Sequence, residues 1–279
     1  MPLKESFAKI ASAPVIRGGL EFLKYIFFRS GLLSMPIQVL SLFVRSASLR
    51  NNGTELVAEA TEKSTTNDEA SKNLSPEKSI PDIELIPIAF SGMDDLEEYL
   101  RLYSKIGIFT ILATLLQPKS RGTVRLASSN PHDRPKIDFG ILSDPSDYAV
   151  ARASVRLSLK LGEEMKAAGF PFLRNIAFPE DKQEKDIKEG STEELDKLIR
   201  RRIRTIYHYS SSCRMAPADD PNAPGVVDDE LRVHGVNGLR VCDTSVFPQI
   251  TSAHLQAPAV MVAERCADFI LKGLKTNEE

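Results

Sequence analysis

The chain of 279 residues is 42% hydrophobic and 27% charged, with a formal net charge of −2 at pH 7. This length and apolar content suffice for one large domain or two small ones with a substantial core. The near-neutral charge gives no reason to expect a nucleic-acid partner, and three cysteines without Cys-x-x-Cys spacing argue against a disulfide framework and against a zinc site.

Two helical segments are predicted within residues 1–48, with breaks at Gly18-Gly19 and at Ser34-Met35-Pro36. Basic residues are interleaved with aromatic ones between Phe22 and Phe28, which leaves a membrane-surface helix as an alternative. We favour a helix whose apolar stripe packs on its own domain. Since the N-terminus has no secretory pattern and no apolar run is long enough to cross a bilayer, we expect no membrane span and a cytoplasmic location.

Residues 49–80 differ in character from their neighbours. They are polar, partly acidic and almost free of bulky apolar side chains, so they cannot bury enough surface to offset the entropy lost on ordering. We therefore predict a disordered surface insertion over residues 49–80.

Regular structure is predicted again from residue 80. The alternating, β-rich residues 81–90 predict a strand. The acidic residues from Met93 open a helix, the β-branched residues 106–116 predict a buried strand, and residues 120–129 predict a short strand behind a turn. Strands followed by helices are typical of the α+β class.

The next predicted helix has clear signals at both ends. Asp144 can cap it, Pro145 suits its first position and Asp147 lies in its first turn. Gly169 can end it after Ala168.

A further helix begins at Ser191–Glu194, which has the pattern of a capping box. Its predicted apolar face consists of Leu195, Leu198, Ile199 and Ile203. The basic run at its end is interpreted as a solvated face that complements the helix dipole, with phosphate binding as the alternative; the run comprises Arg200, Arg201, Arg202 and Arg204.

Two histidines occupy small polar loops in the last third of the chain. His208 precedes Tyr209–Cys213, and His254 lies just before the final helix, which is predicted to start at Pro258. Histidines in separate loops can converge on one site as general base and hydrogen-bond donor. Taken alone, a histidine in such a loop more often has a structural role. A metal site is the least favoured interpretation, because no nearby carboxylate or thiolate completes a ligand set.

This last third resembles the C-terminal part of the glucose–methanol–choline (GMC) oxidoreductases, and the matches fall in the family's order and spacing. They are His208 with Ser212–Met215, Gly225–Asp228, Leu231–Val236, Gly238–Pro248, Ala253-His254, Ala257-Pro258 and Ala263-Glu264. Upstream, Gln117–Gly122, Val124–Leu126 and Asn130–Asp138 are similar to the family's substrate domain. The resemblance covers residues 81–273 well and residues 1–48 weakly.

The resemblance implies an FAD-dependent oxidation of an alcohol, with dioxygen or another electron acceptor. His208 is then the general base that takes the hydroxyl proton, and His254 hydrogen-bonds the substrate oxygen. The resemblance also implies that Leu255 and Gln256 contact the flavin through their main chains. Asp243 and Thr244 are implied to lie near the ribityl or phosphate portion, and Tyr207 near the flavin.

The family's Gly-x-Gly-x-x-Gly turn, which holds the ADP half of FAD, does not occur among the 15 glycines. We therefore expect a truncated GMC alcohol oxidase or dehydrogenase that binds FAD weakly by itself. The alternatives are a non-catalytic remnant that acts as a binding module, and one half of an enzyme completed by a separate FAD-domain chain.

The family's substrate domain is an antiparallel sheet flanked by helices, and its C-terminal segment completes the FAD-binding domain. By this resemblance residues 1–48 form the helical start of the substrate domain and residues 49–80 the insertion. Residues 81–206 form the rest of the substrate domain, and residues 207–273 form the catalytic, FAD-contacting segment.

Overall fold

The computed structural model describes residues 14–34, 40–50, 53–56, 80–89, 92, 97, 107–171, 192–221 and 223–276. These residues form two compact units. The first combines the described part of Met1–Leu115 with Tyr148–Arg202, and the second combines Leu116–Asp147 with the described part of Ile203–Glu279. The domain boundaries drawn from the sequence remain a proposal beside this division.

The first unit is built on a three-stranded antiparallel sheet. Strand β1 (Leu42–Val44) pairs with β4 (Ile83–Ile88), which pairs on its other side with β5 (Thr110–Leu115). The strands predicted at residues 81–90 and 106–116 are confirmed by β4 and β5. Most of β4 is buried because its β-branched and leucine side chains pack into the core.

A long helix covers this sheet. Helix α2 spans Ser146–Ala167, and its Leu157 packs in one cluster with Val44, Ile83 and Leu85. The α+β class is thereby confirmed, with an antiparallel sheet and helical packing. The helix predicted from Met93 lies outside the described residues, apart from Glu97.

The residues predicted to start and end α2 are confirmed, but the side chain of Asp147 has a further role. The carboxylate of Asp144 accepts a hydrogen bond from the N–H of Ser146 at 2.8 Å, and Gly169 closes the helix with φ of 92°. The side chain of Asp147 is buried and accepts from the N–H groups of Lys119 and Ser120 at 2.8 and 2.9 Å. Asp147 therefore fixes the preceding loop.

Helix α3 spans Thr192–Arg202, and buried Leu195, Leu198 and Ile199 confirm three of the four residues of its predicted face. The fourth, Ile203, lies beyond the end of the helix and is half-buried. Arg152 of α2 and Asp196 of α3 form a bidentate ion pair with N–O distances of 2.6 and 2.8 Å. Arg200 donates to the Tyr148 hydroxyl at 2.7 Å. At least one arginine of the basic run, Arg200, therefore makes a contact within this unit. The charged stretch 181–190 lies outside the described residues.

Two predictions for residues 1–48 are wrong. Helix α1 spans Pro14–Phe28 and passes through Gly18-Gly19 without a break, since an interior glycine costs only about 1 kcal/mol. Residues 42–44, which include the strand-favouring Phe43 and Val44, form a strand that pairs with β4. The proposed break at residues 34–36 lies mostly outside the described residues, although Leu32–Ser34 form a 3-10 turn.

The apolar side chains of α1 do not pack on their own unit as expected. Val15, Phe27 and Phe28 are 87, 71 and 76% exposed, whereas Glu21 is only 5% exposed. The carboxylate of Glu21 accepts from Lys24 and from the N–H of Leu32, both at 2.9 Å. The buried side of α1 is therefore occupied by the polar contacts of Glu21, which hold the turn that follows the helix.

The predicted disordered insertion is wrong at its start. Strands β2 (Leu49–Arg50) and β3 (Glu55–Leu56) form a small antiparallel hairpin. Gly53 has φ of 97°, and a Cβ built on it meets Cα of Ala153 at 2.7 Å. Contact with α2 therefore orders residues that composition alone would leave disordered. Residues 57–79 lie outside the described part of the chain.

The second unit contains a hairpin and a small core. Strands β6 (Thr123–Arg125) and β7 (Lys136–Asp138) pair antiparallel, which confirms the predicted short strand. The sequence Leu239–Asp243 also predicts a strand, and this prediction is wrong: the segment makes a single bridge, from Arg240 to Arg232. The chain reverses between these bridge partners, where Gly235 and Gly238 adopt positive φ of 75° and 78°.

The final helix, α4, spans Gln256–Thr276. It starts two residues before Pro258, because a proline in the first turn lacks only an N–H that would have no helical partner. The three- and four-residue spacing of Val260, Ala263, Ala267, Ile270 and Leu271 predicts an apolar stripe on this helix, and that prediction is wrong. Val262 and Cys266 are the residues buried in the core cluster, while Val260, Ile270 and Leu271 are exposed. Of the helices described, none combines the length and apolar character needed to cross a membrane.

Candidate active site

The two predicted catalytic histidines lie in direct contact within the second unit. Nε2 of His208 is 2.8 Å from Nδ1 of His254, and the ring planes are nearly perpendicular at 87°. Both side chains are partly buried. Because one of the two facing nitrogens must donate and the other accept, the tautomer of each ring is set by the other.

A main-chain ladder holds the loop that follows His208. The N–H groups of Ser211, Cys213 and Met215 donate to the carbonyls of Thr244, Ser245 and Val246, at 3.2, 2.8 and 2.9 Å, respectively. Val246 is fully buried in the core cluster that also contains Leu255. The two loops that carry the histidines are therefore fixed to one common core.

The backbone around His208 adopts an unusual conformation. Tyr207 and Ser211 have φ of 64° and 68°, in the left-handed region that costs a non-glycine residue about 1–2 kcal/mol. The N–H of Tyr207 donates to the Thr205 hydroxyl at 2.9 Å. Such conformations persist where surrounding contacts over-determine them, and they cluster at functional sites.

Asp243 and Thr244, expected near the cofactor, have local partners in the structure. The Asp243 carboxylate caps the 3-10 turn Thr244–Val246 by accepting from the N–H of Ser245 at 2.7 Å. The Thr244 hydroxyl donates to the carbonyl of Tyr209 at 2.8 Å. Both residues therefore position the His208 loop, whatever they contact outside it.

The start of α4 lies immediately after His254. The Leu255 side chain is buried in the core, and its carbonyl accepts the first helical hydrogen bond from Ala259 at 2.9 Å. Gln256 is exposed, and the first turn contains no acidic residue. The N–H groups of this turn thus create a partial positive charge that no nearby carboxylate of the turn neutralises.

Two features of the site are not among the predicted residues. The Tyr209 ring stacks on Phe139 with centroids 5.2 Å apart, and the exposed Tyr207 ring meets Tyr209 edge-on at 6.4 Å. The Thr251 hydroxyl is buried, and no hydrogen-bond partner for it occurs in the part of the chain that the structure describes. Tyr209 follows His208 directly, which could have indicated it, whereas nothing in the sequence indicates Phe139.

The arrangement is suited to moving a single proton. A hydroxyl oxygen that hydrogen-bonds both rings requires N–O distances of about 2.8 Å each, so the facing nitrogens must separate to about 4.5–5 Å. Catalytic contacts of this kind commonly rearrange when substrate binds. Within the described residues, no group of three or more His, Cys, Asp or Glu side chains could hold a metal ion.

Comparison with known proteins matches residues 118–263 to a family. The family model described as GMC oxidoreductase matches residues 118–263. The chain is 40% identical over 158 residues to an oxygen-dependent choline dehydrogenase of Vibrio vulnificus, a stretch that covers 56% of this chain and 26% of that protein. The chain thus spans about a quarter of the length of the curated relatives that it matches.

Solved structures agree in fold. A formate oxidase of Aspergillus oryzae superimposes with a TM-score of 0.65 at 23% identity, over 93% of this chain and 42% of that one. A fungal aryl-alcohol oxidase gives a TM-score of 0.53 at 29% identity, over 71% of this chain and 29% of that one. The matched region of the family model includes both histidines and the start of α4.

Proposed function

This chain belongs to the GMC oxidoreductase family, and on that premise we propose that it carries the proton-transfer half of an FAD-dependent alcohol oxidation. The observation that supports the proposal most directly is the 2.8 Å contact between His208 and His254. A pair of imidazoles in contact offers an acceptor and a donor to one hydroxyl oxygen, and alcohol oxidation needs both at the moment the O–H bond breaks.

We assign the roles from this geometry. The alcohol oxygen enters between the rings, donates its hydroxyl hydrogen to Nε2 of His208 and accepts a hydrogen bond from Nδ1 of His254. His208 keeps the proton while the oxygen develops negative charge, and His254 stabilises that charge. The strained, ladder-held loop around Tyr207 keeps the base in position, so that little orientational freedom is lost during the reaction.

The residues at the start of α4 suit the ring of a flavin. Main-chain N–H groups of Gln256 and its neighbours carry partial positive charge, and the buried Thr251 hydroxyl lacks a partner among the described residues. FAD, when bound, supplies the acceptor for the hydride that leaves the alcohol carbon. Tyr207, Asp243, Thr244, Leu255 and Gln256 are the residues that we propose to lie beside it.

Binding of the ADP half is a separate matter, since the sequence contains no Gly-x-Gly-x-x-Gly turn. We propose that residues 1–279 alone bind FAD weakly. Quenching of FAD fluorescence on titration with the purified chain measures this affinity. A yellow protein that retains FAD through gel filtration contradicts the weak-binding proposal and leaves the catalytic roles to be tested directly.

The catalytic test places residues 118–263 of this chain into the Vibrio vulnificus choline dehydrogenase, where they replace its matching segment. We expect the chimera to bind FAD and to oxidise choline or another primary alcohol, with dioxygen or a dye as acceptor. His208→Ala should lower kcat by about 10²–10⁴-fold. His132→Ala, in an exposed turn of the same segment, is the matched control and should change nothing.

This exchange and a mixing experiment distinguish the proposed enzyme from a non-catalytic binding module and from a two-chain enzyme. A folded, flavin-loaded chimera without turnover favours a non-catalytic binding module. Turnover that survives His208→Ala refutes the assignment of the base. Turnover recovered by mixing residues 1–279 with a separately expressed FAD-binding domain favours the two-chain enzyme.

A further inference from the structure

Two of the three cysteines meet on one face of α4. The Cys242 thiol donates to the carbonyl of Val262 at 3.7 Å. Cys266 lies four residues after Val262, one helical turn along α4, so its own N–H is directed to the same carbonyl. The two cysteines therefore approach each other at Val262, while all three cysteines are free thiols.

The Cys266 thiol also lies close enough to the Cys242 thiol to influence its pKa. Although Cys242 is exposed as a residue, partial desolvation of its sulfur raises the pKa of the thiol, and a hydrogen bond with the Cys266 thiol and the nearby negative charge of Asp243 add to this effect. Thiols at hydrogen-bonding range need only a small side-chain movement to reach the S–S bond length of about 2 Å.

The two thiols differ in accessibility. Cys242 is exposed, whereas Cys266 is 5% exposed and belongs to the core cluster with Val246, Leu255 and Val262. An oxidant in solution therefore reaches Cys242 first. Cys266 is then the neighbouring thiol that attacks the modified sulfur, as in other pairs of an exposed and a resolving cysteine.

We propose that Cys242 and Cys266 are a modification site that closes to a reversible disulfide. With a small disulfide such as oxidised glutathione, Cys242 attacks one sulfur, forms a mixed disulfide and releases one glutathione thiol. Cys266 then attacks the Cys242 sulfur and releases the second. Two protein thiols are oxidised, one glutathione disulfide is reduced to two thiols, and the two hydrogens of the protein thiols leave with them.

The bond would join two parts of the candidate active site. Cys242 directly precedes Asp243 and Thr244, and Cys266 lies on the helix that begins after His254. A disulfide that closes a loop of about 25 residues raises stability by restricting the unfolded chain. Because the thiolate is the attacking form and the Cys242 pKa is raised beside Cys266 and Asp243, closure should accelerate as pH rises above neutral.

The test uses the full chain incubated with oxidised glutathione at pH 7 and pH 9. We expect the number of titratable thiols to fall from three to one, the intact mass to fall by two hydrogen atoms, and a Cys242–Cys266 cross-linked peptide to appear. The thermal midpoint should rise, and dithiothreitol should reverse each change.

Two variants serve as controls for this test. Cys213→Ser should show the same mass loss and the same rise in thermal midpoint, with no titratable thiol left. Cys242→Ser, at an exposed position, should abolish both without perturbing the core. Three thiols retained after oxidation, a glutathione adduct on Cys242 that never resolves, or a cross-link to Cys213 would each overturn the proposal.

Discussion

Nε2 of His208 and Nδ1 of His254 are 2.8 Å apart, so the two rings share a single hydrogen. When His208 donates that hydrogen, its Nδ1 is the acceptor at one end of the pair, and His254 carries a hydrogen on Nε2 at the other end. When His254 donates, the pattern is reversed. The pair therefore presents one donor and one acceptor in either state.

The first prediction concerns this shared hydrogen. Removing the ring with His254→Ala leaves Nε2 of His208 without its hydrogen-bond partner, so the His208 tautomers should become mixed. Long-range ¹H–¹⁵N spectra of the histidine side chains report this without any flavin. His132 and His234 are internal references whose signals should not move. An unchanged His208 pattern would contradict the contact.

A second prediction tests whether turnover depends on a hydrogen-bond donor at position 254. In the flavin-loaded chimera, His254→Asn keeps a donor and should lower kcat/KM by less than about tenfold. His254→Ala removes the donor and should lower it by about 10²–10³-fold, as loss of one oxyanion donor does elsewhere. Equal losses in the two variants would show that the donor is not what matters.

The third prediction compares two threonine hydroxyls. Thr244→Val removes the hydrogen bond to the Tyr209 carbonyl and should cost about 1 kcal/mol, lowering the thermal midpoint, while Thr244→Ser should restore it. Thr251→Val removes a buried hydroxyl that has no partner within the described part of the chain, so stability should be unchanged or higher. Differential scanning calorimetry without ligand distinguishes the two. A destabilised Thr251→Val protein would mean that its hydroxyl is bonded.

Sequence reasoning predicted the fold class, strands β4 and β5, helices α2 and α3, and the convergence of His208 and His254. These follow from alternation, capping residues and motif spacing, which are local properties. The strand at Leu42–Val44 and the hairpin around Gly53 were missed because contacts distant in sequence create them. The partnership of Phe139 with Tyr209 was missed for the same reason, since 70 residues or so of chain separate them.

The fourth prediction tests the ordered start of the predicted insertion. Gly53→Ala places a methyl group against the backbone of Ala153 at a positive φ, so it should destabilise the first unit by at least about 1 kcal/mol. Gly19→Ala is the matched control, because nothing lies within 4 Å of its Cβ position in α1. It should stabilise the protein slightly through helix propensity. Urea unfolding measures both, and a neutral Gly53→Ala would contradict the packing of β2 and β3 on α2.

The fifth prediction is a pH dependence. The hydrogen bond from Arg152 holds the pKa of Asp196 below its usual range, although burial acts in the opposite direction. A depressed carboxyl pKa adds stability above the unfolded pKa of about 4, and this stability is lost as pH falls through the lower folded value. Asp196→Asn should therefore cost about 1–2 kcal/mol at pH 7 and progressively less below about pH 4.

The control for this prediction is Glu164→Gln. Glu164 pairs with Lys160 on the exposed side of α2, at 2.7 Å, and such exposed pairs contribute little to stability. Urea unfolding at a series of pH values should show a pH-dependent difference for Asp196→Asn and almost none for Glu164→Gln. A constant difference at all pH values would mean that packing, and not charge, underlies the Asp196 effect.

The ladder between residues 211–215 and 244–246 uses main-chain atoms alone. The side chains of Ser211 and Cys213 can therefore be exchanged in a combinatorial library without breaking these bonds, provided that proline is kept out of both positions. Thr244, Val246 and Met215 are kept, because their side chains also hold the loop or pack in the core. Residues beside the two histidines could then be varied while the main-chain bonds that hold the His208 loop are kept.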